Sequence, residues 1–169
     1  MTLPRLGLIV AIATFVIDQA VKWLVTGPLG IDYLGAYRTV LPVFDLRFVQ
    51  NIGVSLGMLR AETDMMRWLL VAFTGGIAIA VAIWMTREPK RPDQAALGLV
   101  LGGALGNIVD RIRFGYVVDF ADLHFGEWRP FLVFNVADAA ITFGVLILLA
   151  RALLIREKPA DGSSENVHA

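Results

Sequence analysis

Phe134–Ile155 reads FNVADAAITFGVLILLARALLI, an apolar run with one carboxylate in its first turn and one arginine near its end. A bilayer core about 30 Å thick takes about 20 residues of helix, so this stretch is long enough to cross it. Its opening, Asn135-Val-Ala-Asp138, also reads as a helix start, with asparagine as N-cap and an acid at the third helical position, where the helix dipole favours it. Three further apolar runs stand upstream, at roughly Leu6–Val25, Met65–Met85 and Gln94–Ile112. The first lacks a small-residue cleavage site after a short apolar stretch and reads as a retained span.

Composition agrees with four spans. The 169 residues are 57% hydrophobic and 18% charged, with a mean hydropathy of +0.67, which no ordinary soluble domain shows. The net charge is zero and no basic stripe is present, so nucleic-acid binding lacks its electrostatic footprint. The absence of cysteine removes disulfides, thiol nucleophiles and thiolate metal sites. His124 and His168 build neither a zinc helix nor a Ser-His-Asp triad, and Ser55, the one serine outside the C-terminal tail, sits in no nucleophile-elbow context. No cofactor is expected. Residues 1–157 read as one membrane domain, and 158–169, polar and containing Gly162-Ser163-Ser164, as a disordered cytoplasmic tail.

An even number of spans puts both termini on one side. Arg5, the short loop with Arg87, Lys90 and Arg91, and Arg151, Arg156 and Lys158 after or at the end of the last span mark that side as cytoplasmic. Lys22, Arg38, Arg47, Arg60, Arg67, Arg111, Arg113 and Arg129 lie on the other side, spread over longer segments. In those segments Phe44-Asp-Leu-Arg-Phe48 alternates as a half-buried strand does, and Tyr116-Val-Val-Asp-Phe120 has strand composition. Leu56–Met66 reads as a helix lying on the membrane surface. The expected fold is therefore an all-α membrane protein of four transmembrane helices, with a small extracytoplasmic β-sheet and a surface-lying helix.

Antiparallel spans bring scattered polar residues to one depth. Spans one and three end on the external side and spans two and four begin there, so Asp18, Gln19 and Lys22 meet the level of Asn107, Asp110, Arg111, Asn135 and Asp138. Asp119 follows span three closely enough for its chain to return to Asp138. Each residue also has a structural explanation. Asp138 can serve only its helix start, Asp119 can be a loop residue, Asp110-Arg111 can be an ion pair or phosphate-facing anchor, and Asp18 and Lys22 are spaced to pair along one helix face. Gly98, Gly102 and Gly106 recur every four residues and give span three a smooth face for close packing.

Two carboxyls about 3 Å apart share a proton, because both cannot ionise comfortably. One can then deprotonate a water while the other protonates the substrate, which hydrolyses a peptide without a covalent intermediate. A small transporter or proton channel relaying through Asp18, Asp110 and Asp138, or a scaffold held by its polar layer, are the rival readings. A transporter would place its ionisable groups near the midplane, whereas the middles of spans two and four are apolar.

Asp18-Gln19, Asn51-Ile-Gly53, Gly102-Gly-Ala-Leu-Gly-Asn-Ile-Val-Asp-Arg111, Val117-Val-Asp-Phe120 and Phe134-Asn-Val-Ala-Asp-Ala-Ala140 resemble, in order and spacing, the motif blocks of bacterial lipoprotein signal peptidase, signal peptidase II. The resemblance spans roughly Arg5 to Arg156; it departs at Val54-Ser55-Leu56, where that family more often has small residues and then an aromatic. It implies an aspartyl endopeptidase of the bacterial inner membrane, active near the periplasmic face, that removes signal peptides from diacylglyceryl-modified prolipoproteins on the amino side of the lipid-bearing cysteine. The resemblance maps the catalytic pair onto Asp119 and Asp138, and the supporting or substrate-binding residues onto Asn51, Asn107, Asp110, Arg111 and Asn135, with Asp18 and Lys22 nearby. It further implies prolipoprotein and membrane-lipid partners and inhibition by cyclic peptides such as globomycin, and a monomer is expected. The surface helix is the expected lid over the cleft.

Overall fold

Four helices run α1 (Arg5–Thr26), α2 (Asp64–Arg87), α3 (Arg91–Phe114) and α4 (Val136–Leu154) in a computed structural model that describes residues 4–53 and 63–154. All four are long and apolar enough to cross a membrane. Their ends carry the signals that set them. Thr63 caps α2 by accepting the Met66 N–H at 3.3 Å, and Asp64 and Arg87 lie at the ends where the helix dipole favours their charges. Lys90 precedes α3, Pro92 sits in its first turn, and Gly115 ends it in the left-handed region at φ 86°, donating its N–H to the Arg111 carbonyl. α2 and α3 extend past the expected Met65–Met85 and Gln94–Ile112, because helical hydrogen bonding continues through charged ends that hydropathy excludes.

α3 is the central helix, flanked by α1, α2 and α4. The glycine stripe explains how. A Cβ on Gly98 or Gly102 would run into the backbone of α1 at Gly7 or Ala11, and one on Gly103 into Ala137 of α4. The helices touch at backbone distance there, so contact atoms are gained in place of a hydrophobic drive that lipid does not supply. Outward, Ile9, Ile12, Phe73, Ile79 and Phe143 are exposed, as lipid-facing side chains should be. Gly102→Leu would force α1 off α3 and is expected to lower stability by roughly 1–3 kcal/mol or more. Gly76→Leu in α2, with nothing within 4 Å of its added Cβ, should leave thermal unfolding in detergent unchanged.

β1 (Tyr37–Leu41), β2 (Phe44–Asn51) and β3 (Val117–Leu123) form an antiparallel sheet in the order β1-β2-β3, beside the C-terminal ends of α1 and α3. β2 contains the strand expected at Phe44–Phe48, and β3 takes up the one expected at Tyr116–Phe120 from Val117 onward, whereas β1 is not among the expected elements. A register shift between Leu46 and Val49 sets Val49 opposite Asp119 and Asn51 opposite Val117. The other edge of β3 is closed by Phe134, which exchanges backbone hydrogen bonds with Ala121. Phe134 thus belongs to the sheet, and α4 begins after Asn135. The expected surface helix falls largely on residues 54–62, outside the described residues; Asp64, Met65 and Met66 are the first turn of α2. The expected tail, 158–169, also lies outside them.

Candidate active site

Asn135 joins the sheet to the helices. Its Nδ2 donates to Asp119 Oδ1 at 2.6 Å, to Asn107 Oδ1 at 3.2 Å and to the Val118 carbonyl at 3.3 Å. Its Oδ1 accepts the Asp138 N–H at 2.9 Å, and its own N–H donates to Asp138 Oδ2 at 3.3 Å. This is the expected capping box, and it does more than start a helix, because the same asparagine holds both carboxylates. Rather than resting on one another alone, Asp119 and Asp138 are linked through Asn135.

Each carboxylate has a second anchor. Asn51 Nδ2 donates to Asp119 Oδ2 at 2.9 Å, reaching diagonally across the β2–β3 pair, while Asn51 Oδ1 accepts the Gly53 N–H at 3.1 Å. Asn107 Nδ2 donates to Asp138 Oδ1 at 2.9 Å. Asp119 is 2% exposed. Burial pushes its carboxyl up to about 7, the charge of Asp138 pushes it the same way, and the hydrogen bonds from Asn51 and Asn135 with the charge of Lys22 pull it back. A carboxyl that titrates near neutrality can both give and take a proton there.

Under this pair lies a buried ionic layer. Lys22 Nζ sits 2.8 Å from Asp18 Oδ2 and 2.7 Å from Asp110 Oδ2, and donates to Asn107 Oδ1 at 3.2 Å. The expected Asp18–Lys22 pair is therefore present, with Asp110 added. Asp18 Oδ1 also accepts the Ala137 N–H of α4 at 2.9 Å, and Asp110 Oδ2 accepts the Val118 N–H of β3 at 3.2 Å. The reading of Asp110-Arg111 as an ion pair is corrected: Asp110 pairs with Lys22, and Arg111 donates to the Gly53 carbonyl at 2.9 Å and toward that of Asn107 at 3.5 Å. Adjacent helical residues point about 100° apart, so they serve different partners. The relay reading loses its footing too, since Asp18 and Asp110 are both bound to one lysine.

Gln19, in the same polar layer, has a role that its residue type alone does not indicate. Its Nε2 donates to Asp110 Oδ1 at 2.9 Å, which orients that acid between two helices. Its position next to Asp18 and at the depth of Asp110 was the available signal.

A cavity of about 330 Å³ opens beside Asp138, between α2, α3 and α4. Asn51, Gly53, Asn107, Arg111 and Asp138 line its sheet end, and Ile77, Val100, Ala104 and Ile141 its deeper walls. α2 packs on α3 and barely on α4, which leaves this side open toward the bilayer.

Fold and site together define a multi-pass membrane protein with two carboxylates joined through one asparagine, Asp138 at the polar head of an apolar cleft and Asp119 buried behind it. Residues 10–154 match the family described as Signal peptidase (SPase) II, and the chain belongs to that family of membrane peptidases, which processes lipoproteins. It is similar to the lipoprotein signal peptidase of Sphingopyxis alaskensis, at 56% identity over 161 residues covering 95% of this chain and 92% of that protein. The lipoprotein signal peptidase of Rhizorhabdus wittichii is 54% identical over 164 residues, covering 97% and 94%. Among solved structures, a bacterial membrane enzyme determined by the in meso method superimposes with a TM-score of 0.74 at 26% identity, covering 92% of this chain and 94% of that one.

Proposed function

We propose that this protein is an aspartyl endopeptidase that removes the signal peptide from diacylglyceryl-modified prolipoproteins, cutting on the amino side of the lipidated cysteine. The observation that carries the proposal is the anchoring of Asp119 to Asp138 through Asn135, with Asp138 at the head of a cleft whose deeper walls are apolar. An apolar signal helix and a diacylglyceryl group can stay at membrane depth while the scissile bond reaches the carboxylates.

With Asp119 titrating at about 7, the pair holds one proton near neutrality. The ionised carboxyl takes a proton from water as the water oxygen attacks the scissile carbonyl. The protonated carboxyl donates to the carbonyl oxygen. The proton taken from water then goes to the departing amine, the C–N bond breaks, and a hydroxyl of the tetrahedral intermediate returns its proton to the second carboxylate as the carbonyl reforms, which restores the starting protonation. Asn107, Asn135 and Asn51 hold the carboxylates, and the Asp18–Lys22–Asp110 layer holds Asn107 and the start of α4. Arg111 fixes Gly53, and with it the Asn51 turn.

The cleavage test uses purified protein in detergent with a precursor peptide. The diacylglyceryl-modified peptide is expected to be cut before its cysteine, and the unmodified peptide at most weakly; equal cleavage of both would overturn the substrate assignment. Removing the Asn51 hydrogen bond should raise the Asp119 pKa further, because that bond favours the ionised form. Asn51→Ala is thus expected to shift the alkaline limb of the kcat/KM profile to higher pH, and a shift to lower pH would contradict the assignment.

The enzyme is proposed to sit in the inner membrane with both termini cytoplasmic and the sheet end periplasmic. Arg87, Lys90, Arg91 and Arg151 gather at the opposite end. Much of the positive charge at the sheet end is consumed internally: Lys22 by Asp18 and Asp110, Arg47 and Arg129 by Asp122, and Arg67 by Asp64. The chain has no native cysteine, so single cysteines report orientation cleanly. In intact spheroplasts an impermeant maleimide should label Val43→Cys and spare Glu88→Cys; the reverse pattern would invert the topology.

A further inference from the structure

On the other side of β3, Val118 lines a second cavity of about 330 Å³ between the sheet-end tips of α1 and α3, apart from the carboxylate cleft. Two opposite charges line it, Arg113 at the end of α3 and Asp32 in the connection from α1 to β1. Among the described residues neither has an ion-pair partner; the Arg113 guanidinium lies 4.9 Å from the centre of the Phe114 ring. Their positions in one cavity leave a positive and a negative site open to a ligand that carries both charges. On the inner wall Lys22 is already held by both Asp18 and Asp110 and offers no free cation to a ligand. Trp23, 67% exposed, and Phe114, 46% exposed, form an aromatic rim at the ends of two spans, the height at which indoles and phenyl rings meet lipid head groups.

We infer that this cavity binds the head group of an aminophospholipid, with the phosphate at Arg113, the ammonium at Asp32 and the acyl chains leaving past Trp23 along α1. A guanidinium suits a phosphate through paired donors. A purely anionic head group would meet Asp32, and a simple cation would meet Arg113, so the zwitterion is the species that satisfies both.

Full-length protein in detergent, exchanged against mixed phosphatidylethanolamine and phosphatidylglycerol and read by native mass spectrometry, tests this. Wild type is expected to retain one phosphatidylethanolamine in roughly tenfold preference over phosphatidylglycerol. Asp32→Asn should erase that preference while phosphatidylglycerol still binds, Arg113→Gln should lose both lipids, and Asp138→Asn should bind as wild type does. Both Asp32 and Arg113 are exposed, and thermal unfolding of their variants should match wild type. Equal retention of the two lipids by wild type, or retention insensitive to both substitutions, would overturn the site. Displacement of the lipid by millimolar inorganic phosphate would assign the cavity to a free anion instead, and failure of phosphate to compete supports the lipid.

Discussion

Asp119→Asn and Asp138→Asn are each expected to lower kcat/KM for a lipidated precursor by at least about 10³-fold, since each removes a proton donor or acceptor that no neighbouring side chain among the described residues replaces. Asn51, Asn107 and Asn135 surround the pair, and an amide does not titrate. Stability should move the other way. The native state holds the Asp119 proton at pH values where the unfolded chain, with a carboxyl near 3.8, has released it. The contribution of Asp119 to stability therefore falls as pH rises from about 4 to about 7 and is flat above. Asp119→Asn abolishes that fall, so its unfolding temperature in detergent should be at or above that of wild type at pH 8. Substantial activity in either variant would exclude a catalytic dyad, and a collapse in stability would mean that the pair is structural.

The second large effect lies one layer deeper. In Lys22→Met, Asp18 and Asp110 lose the one cation that forms an ion pair with them among the described residues, while their side chains remain 0% and 1% exposed. Leaving buried charges unpaired in this way costs roughly 3–5 kcal/mol. Adding Asp18→Asn and Asp110→Asn to Lys22→Met removes the stranded charges and should restore most of the lost stability. Activity should recover less, because Lys22 also donates to Asn107, which holds Asp138. A Lys22→Met protein of wild-type stability would show that the ionic layer is not what ties α1 to α3 and α4.

How much of this could be read from residues alone depends on the range of the interactions. The spans were legible because a bilayer imposes a length and a composition on a contiguous stretch. The Asn135–Asp138 cap was legible because its two residues are only three positions apart, and the glycine stripe because its period matches a helix face. β1 was not, since all five of its residues are exposed and no burial pattern marks them. The partner of Arg111 was not legible either: Gly53 lies 58 residues away, and a backbone carbonyl leaves no trace in composition. Asp119 stood between these cases. Its strand was visible, but its burial depends on Phe134 closing one edge of β3 and β2 the other, which only the assembled sheet provides.

The shared proton is the centre of the account, and the pH dependence of kcat/KM with a diacylglyceryl-modified precursor, measured with and without EDTA, tests it most directly. A bell-shaped profile is expected, with its alkaline limb near pH 7, where Asp119 gives up the pair's last proton, and with no response to the chelator. Activity that stays level to pH 9, or that EDTA abolishes and zinc restores, would contradict it.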